Sequence, residues 1–278
     1  MTLVIDIFVT ITNMFAFDFI VKAFIVGVLI SLCAALLGVS LVLKRYAMIG
    51  DGLSHVAFGA LAVGVAFGAT PMYVAVPVSI VAAFLLLRIS ENSKIKGDAA
   101  IALISTSSLA IGVTAISMRR GTNIDLNSYL FGSILAVTIE DMWMVVGLAT
   151  LVILFFVIFY NKIVAITFDE QFATAVGTPT GFYNMIVAFF TAITIVLGMR
   201  LMGALLISSL LIFPVLSAMR VCKSFFTVVV CAAVISVCCF VVGLVVSFSL
   251  GTPTGTSIVL THLAIFLLFL LAKFKSGI

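Results

Sequence analysis

Long apolar runs separated by short polar interruptions make up most of this sequence. A membrane-spanning helix needs about 20 apolar residues, because the hydrocarbon core is about 30 Å thick and a helix rises about 1.5 Å per residue. The runs that meet or approach this length are 19–43, 47–68, 71–88, 99–118, 139–160, 184–199, 201–219, 225–250 and 256–272. Only Arg200 separates the runs 184–199 and 201–219, and Pro214 interrupts the second of these runs. One of the two runs is therefore a candidate broken helix. The pattern predicts an all-α, polytopic integral membrane protein with eight to nine transmembrane helices.

Composition agrees with a membrane protein and excludes several other classes. Of the 278 residues, 64% are hydrophobic and 9% are charged, whereas soluble domains are about half apolar and about a quarter charged. The lysines and arginines are scattered between the apolar runs instead of forming a basic stripe, so nucleic acid is not an expected partner. Neither a linker nor a low-complexity segment divides the chain. We therefore predict a single transmembrane domain over residues 1–278.

The basic residues set the predicted orientation, because short cytoplasmic loops are enriched in Lys and Arg. Nine alternating spans place most of them on one side: Lys44, Arg45, Arg88, Lys94, Lys96, Lys162, Arg220, Lys223, Lys273 and Lys275. Four others, Lys22, Arg119, Arg120 and Arg200, lie elsewhere. The N-terminus is then expected outside the cell and the C-terminus in the cytoplasm.

An aspartate and a histidine, Asp51 and His55, interrupt the apolar run 47–68. Ionisable groups at membrane depth are costly and usually functional, and a spacing of four puts both side chains on one helix face, where they can share a divalent cation. Alternatively, the two pair with each other or with Ser54, or cap a helix that begins near Gly50, without an ion. Two donors do not complete a tetrahedral site, but two copies of the chain on a two-fold axis would offer four.

Small residues follow this pair at helical spacing. Gly52, Ala60, Gly64 and Gly68 fall mostly at four-residue steps, which lets helices approach closely in lipid. The stripe predicts helix packing, either within one chain or between two copies.

The loop between Asn161 and Asn184 is the longest polar interruption on the predicted cytoplasmic side. It contains the signals of a short helix at about 167–178, with a capping box at its start and a glycine and a proline at its end. The residues that give these signals are Thr167 with Glu170, and Gly177 with Pro179; Phe168, Phe172 and Val176 share one face. Because that helix lacks the basic face of a membrane-surface helix, we favour docking into a protein groove.

The chain carries no recognisable catalytic motif, since Walker A, H-E-x-x-H and G-x-S-x-G sequences are all missing from it. We therefore do not expect an enzyme, and the energy for moving a solute must come from a partner or an ion gradient. A gradient-driven secondary carrier is the alternative, but it is expected to show inverted repeats and several membrane acids. The other histidine, His262, is expected to serve helix packing or to face a vestibule.

Five segments in order resemble the membrane permease subunits of bacterial ABC importers for zinc, manganese or iron(II). They are "IGDGLSHVAFGALAVG" in the run 47–68, "SYLFGSILAVT" (128–138), "FDEQFATAVGT" (168–178), "MGALLISSLLIFPVLSAM" (202–219) and "TPTGTSIVLTH" (252–262). The similarity runs from about Phe17 to Ala272. Five ordered motifs make a strong match where any single one would be weak.

The resemblance implies a type II ABC importer-like permease of the bacterial cytoplasmic membrane. Its expected partners are a second copy of the chain, two ATP-binding ATPase subunits and an extracytoplasmic metal-binding protein, with no permanently bound cofactor. It implies that Asp51 and His55 coordinate the transported metal, and "GLSHVAFGAL" is more similar to zinc than to manganese permeases, with iron(II) also open. It also implies that the chain has a coupling helix that docks into a groove of the ATPase. The residues of this helix that are expected to take part are Phe168, Asp169, Glu170, Phe172, Ala173, Val176 and Gly177.

Overall fold

The computed structural model describes residues 16–92, 97–118, 132 and 137–276. Within these ranges the secondary structure is entirely helical. In chain order the helices are α1 (Asp18–Leu43), α2 (Ala47–Ala66), α3 (Pro71–Asn92), α4 (Gly97–Met118), α5 (Ile139–Ile158), α6 (Tyr160–Phe168), α7 (Glu170–Ala175), α8 (Thr180–Met202), α9 (Ala204–Val221), α10 (Phe225–Leu250) and α11 (Thr254–Ser276). The predicted all-α class is confirmed.

Nine helices in the described part of the chain are long and apolar enough to cross a membrane. Helices α6 and α7 form a short insertion between α5 and α8, which we call the cytoplasmic insertion because the sequence predicts that side for it. The predicted interruption at Arg200 is wrong, because α8 runs through that residue to Met202. The break comes at Gly203, whose φ of 90° and ψ of 154° end one helix and start the next. A glycine tolerates this backbone conformation, whereas a charged side chain alone does not interrupt a helix.

Helix α2 packs mainly on α3 and α4 and also contacts α8 and α9. A Cβ atom at Gly52 would collide with the side chain of Ile101, and one at Gly59 would collide with the backbone of Ser108, both on α4. Small residues therefore let α2 and α4 approach closely, as expected where van der Waals contact replaces the hydrophobic effect in lipid. This packing holds α2 firmly inside its own protomer.

The rest of the small-residue stripe also faces neighbours in the same chain. Gly64 packs against Pro71 and Val74 at the start of α3, and Ala60 is buried. Gly68 lies beyond the end of α2, exposed, with a φ of 74° that suits a glycine. Of the two alternatives for this stripe, packing within one chain accounts for Gly52, Ala60 and Gly64, and a turn accounts for Gly68.

Arg200 is one of the basic residues that are not predicted on the cytoplasmic side, and an ion pair explains its position. Its guanidinium donates to the carboxylate of Asp141 at 2.8 Å. That buried carboxylate also accepts hydrogen bonds from the backbone and hydroxyl groups of Thr138 at the start of α5. The ion pair therefore joins the start of α5 to the end of α8, on the side opposite the cytoplasmic insertion.

Several sequence predictions lie outside the described residues. They include the basic residues Lys94, Lys96, Arg119 and Arg120, and most of the motif 128–138. Within that motif Gly132 is described, and it packs against the backbone of Met202 with a φ of 80°.

Candidate metal site and cytoplasmic helix

Asp51 and His55 lie one turn apart on the partly open face of α2. The side chain of Asp51 is 44% exposed and that of His55 is 34% exposed, although most of this helix is buried. The distance from Nε2 of His55 to Oδ2 of Asp51 is 3.8 Å, which is too long for a hydrogen bond. The structure thus brings the predicted pair together, but it does not show a directly hydrogen-bonded pair.

Ser54 does not bond to either side chain of this pair. Its hydroxyl donates to the main-chain oxygen of Asp51 at 2.7 Å and lies 3.3 Å from the hydroxyl of Ser208 on α9. The alternative in which Ser54 pairs with the aspartate or histidine side chain is therefore wrong. A helix cap is also excluded, since α2 already begins at Ala47 and Asp51 lies within its second turn.

The imidazole of His55 has unused bonding capacity. Its Nδ1 atom is buried, and no hydrogen-bond partner for it is found in the described ranges. A carboxylate and an imidazole on one helix face are donors that suit zinc, manganese and iron(II) alike. The two groups lie 3.8 Å apart on that face.

The described residues of one chain supply too few such donors for a closed site. Among the described residues there is no group of three or more His, Cys, Asp or Glu side chains that could hold a metal ion. A tetrahedral site needs about four donors. The pair must therefore be completed by solvent, by a second copy of the chain or by both.

The short helix of the cytoplasmic insertion is present, but its start differs from the prediction. The carboxylate of Asp169 accepts a 2.8 Å hydrogen bond from the amide of Phe172, so Asp169 is the N-cap of α7. The predicted capping box at Thr167 is wrong, because that residue still belongs to α6 and its hydroxyl donates to the carbonyl of Ile163. At the other end Gly177 has a φ of 87°, as expected for a helix stop.

The apolar face of this insertion is open. Phe172 and Val176 are 63% and 67% exposed, while Ala173 is buried against the rest of the chain. Phe168 is also exposed, although its ring lies 5.9 Å from that of Phe225 at the start of α10. Two aromatic rings and a valine at an exposed polar loop form a surface suited to a protein groove.

Glu170 points the other way, into the chain. Its carboxylate accepts hydrogen bonds from Lys44 Nζ at 3.0 Å and from Asn184 Nδ2 at 2.7 Å. This contact was not predicted from the sequence, where Lys44 indicates only the orientation of the chain. Residues 126 and 14 positions apart carry no local signal that they meet.

His262 is fully buried in α11. Its Nδ1 atom lies 2.9 Å from the carbonyl oxygen of Ile258, one turn earlier. Of the two roles considered, the structure supports helix packing over a vestibule.

Nine membrane-length helices in the part of the chain that the structure describes, with an ionisable pair on one of the most buried of them, define a polytopic membrane protein. The chain belongs to the ABC 3 transport family, whose model matches residues 16–273. It is a multi-pass protein of the cytoplasmic membrane.

Two curated relatives cover nearly the whole chain. One is the manganese import system permease protein ScaB of Streptococcus gordonii, which is 32% identical over 251 residues, 90% of this chain and 90% of the relative. The other is the high-affinity zinc uptake system membrane protein ZnuB of Haemophilus influenzae, which is 30% identical over 258 residues, 92% of this chain and 98% of the relative.

A solved structure has the same fold. PsaBC from Streptococcus pneumoniae in complex with Fab contains a chain that superposes with a TM-score of 0.83 at 30% identity, covering 94% of each chain. The recognised family is therefore confirmed by sequence and by fold.

Proposed function

We propose that this chain is the permease subunit of an ATP-driven ABC importer that carries a divalent transition metal ion into the cell. The observation that carries the proposal is the Asp51–His55 pair, two metal-binding side chains on one partly open helix face that are not hydrogen-bonded to each other. Membership of the ABC 3 transport family supports it. The metal is the cargo, and the chain itself does no chemistry on it.

The energy source is a separate ATPase. The exposed aromatic face around Phe172 supports docking of α7 to such a subunit, since large apolar side chains are otherwise costly at a water-facing loop. Delivery of the metal falls to an extracytoplasmic metal-binding protein on the opposite side. A gradient-driven carrier is disfavoured, because such carriers are expected to have several acidic residues at membrane depth and few besides Asp51 are found there.

The pathway lies between two copies of the chain on a two-fold axis. Two copies double the carboxylate and imidazole donors to the number that a tetrahedral site needs. Because Ala60 and Gly64 are packed inside the protomer, the contact between copies must use the open face instead. Met48 lies on that face, 50% exposed and one turn before Asp51.

We expect Met48→Cys to form a disulfide or a short-reagent crosslink between two copies in membranes. A Val234→Cys variant is the matched control, because that residue is similarly exposed but lies on α10, which packs on α1, α9 and α11. The measurement is the dimer fraction on a denaturing gel. Failure of Met48→Cys to crosslink in cells with normal uptake would place the pathway inside one chain.

Measurements of metal uptake test which metal is carried. The motif "GLSHVAFGAL" favours zinc, while relatives named for manganese and for zinc match at similar identity. We expect cells that express the chain with its ATPase and binding protein to accumulate radioactive zinc in an ATP-dependent manner, and we expect manganese to compete. Uptake that collapses with the proton gradient but survives ATP depletion would contradict the ATP-driven proposal.

A further inference from the structure

Three side chains from distant parts of the sequence close a ring at the cytoplasmic ends of their helices. Lys44 Nζ donates to Glu170 Oε2 at 3.0 Å and to Asn184 Oδ1 at 2.7 Å, and Asn184 Nδ2 donates to Glu170 Oε1 at 2.7 Å. We refer to these three residues as the Lys44 cluster. Each member contacts the other two, so the cluster joins the end of α1, the start of α7 and the first turns of α8.

Two members of the cluster are largely shielded from solvent, and the third is partly exposed. The side chain of Lys44 is 11% exposed and that of Glu170 is 35% exposed, while Asn184 is buried. Lysine is almost never so deeply buried unless it is paired, and removing one partner of a buried pair leaves an uncompensated charge. The cluster should therefore move as one unit.

Lys44 is also fixed to the helix that carries the metal pair. It is the C-cap residue of α1, and Arg45 follows with a φ of 63°. Backbone bonds from the amides of Arg45 and Tyr46 to Val42 and Leu41 close the turn before α2 begins. Asp51 is seven positions beyond Lys44, and only a tight turn separates Lys44 from α2. A displacement of the Lys44 side chain would therefore shift the start of α2.

Helix α7 also contacts α6 and α8, the helices that adjoin it in the chain. Ala173 is buried, and the hydroxyl of Thr174 lies 3.0 Å from that of Thr180 at the start of α8. Lys44 is different, because it ties α7 to a helix 126 positions away in the sequence. This contact leads from the proposed ATPase surface toward the metal pair.

From this geometry we propose that Lys44 is a positioning residue, which transmits displacement of α7 through the Lys44 cluster to α2 and so couples the ATPase to Asp51 and His55. The inference rests on the proposed function. It assigns Glu170 a role inside the permease, distinct from the docking role of exposed Phe172. Coupling of this kind is a free-energy link between two sites, which ligand binding at either site can report.

The test uses the complex of permease, ATPase and metal-binding protein in proteoliposomes. In Lys44→Met, which keeps the length of the side chain and removes its charge, we expect the ATPase to copurify and basal hydrolysis to be unchanged. Metal uptake and the stimulation of hydrolysis by metal-loaded binding protein should both fall at least about ten-fold. A merely structural lysine would instead reduce the amount of complex and leave the stimulation ratio intact.

Two rescue variants keep the test decisive if Lys44→Met accumulates poorly. Lys44→Arg retains the charge and should restore part of the stimulation. The double variant Lys44→Glu with Glu170→Lys should restore more, because the amide of Asn184 offers both a donor and an acceptor to the exchanged charges. A double variant that is folded but still uncoupled would overturn the inference.

Lys162→Met is the matched control, since this lysine is also on the predicted cytoplasmic side but donates to the hydroxyl of Thr178, at 3.5 Å, outside the Lys44 cluster. Its uptake and stimulation should equal those of the wild type. If Lys44→Met shows normal coupling, the proposed role of Lys44 is overturned, but the proposed function of the chain is not. Absence of metal uptake in the wild-type complex would instead overturn the proposed function.

Discussion

Asp51→Asn and His55→Ala are each expected to abolish metal uptake. The first keeps the size of the side chain and removes its negative charge; the second removes the imidazole donor. Disturbing even the outer partners of metal ligands typically costs about 10–100-fold, so loss of a side chain that is proposed to bind the metal in both copies of a dimer should cost at least that much. The measurement is initial-rate uptake of radioactive zinc and manganese, normalised to the amount of permease in the membrane.

The matched control for charge is Asp98→Asn, because Asp98 lies exposed in the first turn of α4 and is not part of the pair. Uptake in this variant should equal that of the wild type. Near-normal uptake by both Asp51→Asn and His55→Ala would show that the pair serves helix structure and not the cargo. The 3.8 Å distance between the two side chains is compatible with either outcome, so the uptake measurement decides between them.

Phe172→Asp should separate the permease from its ATPase. The ring is 63% exposed in the absence of a partner, and truncation of an aromatic anchor at an interface costs about 2–4 kcal/mol. That range corresponds to an affinity loss of about 30- to 700-fold. An aspartate at this position also adds a third acid beside Asp169 and Glu170. Copurification of the ATPase with tagged permease, followed by ATP-dependent uptake, is the measurement.

Phe172→Ala and Phe226→Ala provide a matched comparison. The two rings are almost equally exposed, and they lie in α7 and at the start of α10, both on the predicted cytoplasmic side. Only the variant at 172 should lose the ATPase. This outcome also separates docking from coupling, since Lys44→Met is expected to keep the ATPase bound and to lose only its stimulation. Wild-type copurification of Phe172→Asp would exclude α7 as the docking element.

Local periodicity predicted the helices well because each one is long enough to cross the membrane by itself. All nine predicted runs start and end within four residues of the observed helices; the run 71–88, for example, extends at its end to Asn92. In lipid, every backbone polar group must be bonded within the helix, so length and hydropathy alone identify a span. Breaks and caps were harder. Gly203 and Asp169, not Arg200 and Thr167, mark the boundaries, because several residues near each end offer similar local signals.

By itself the sequence determined the all-helical membrane class, the face shared by Asp51 and His55, and the family resemblance. Each of these follows from residue type at short or regular spacing, which a helix converts directly into position. Only the tertiary structure decided that Gly52 and Gly64 pack inside the protomer, that Asp141 neutralises Arg200, and that Glu170 meets Lys44 and Asn184. Those contacts join residues on different helices, and their partners are chosen by the packing of the whole bundle, which no local pattern encodes.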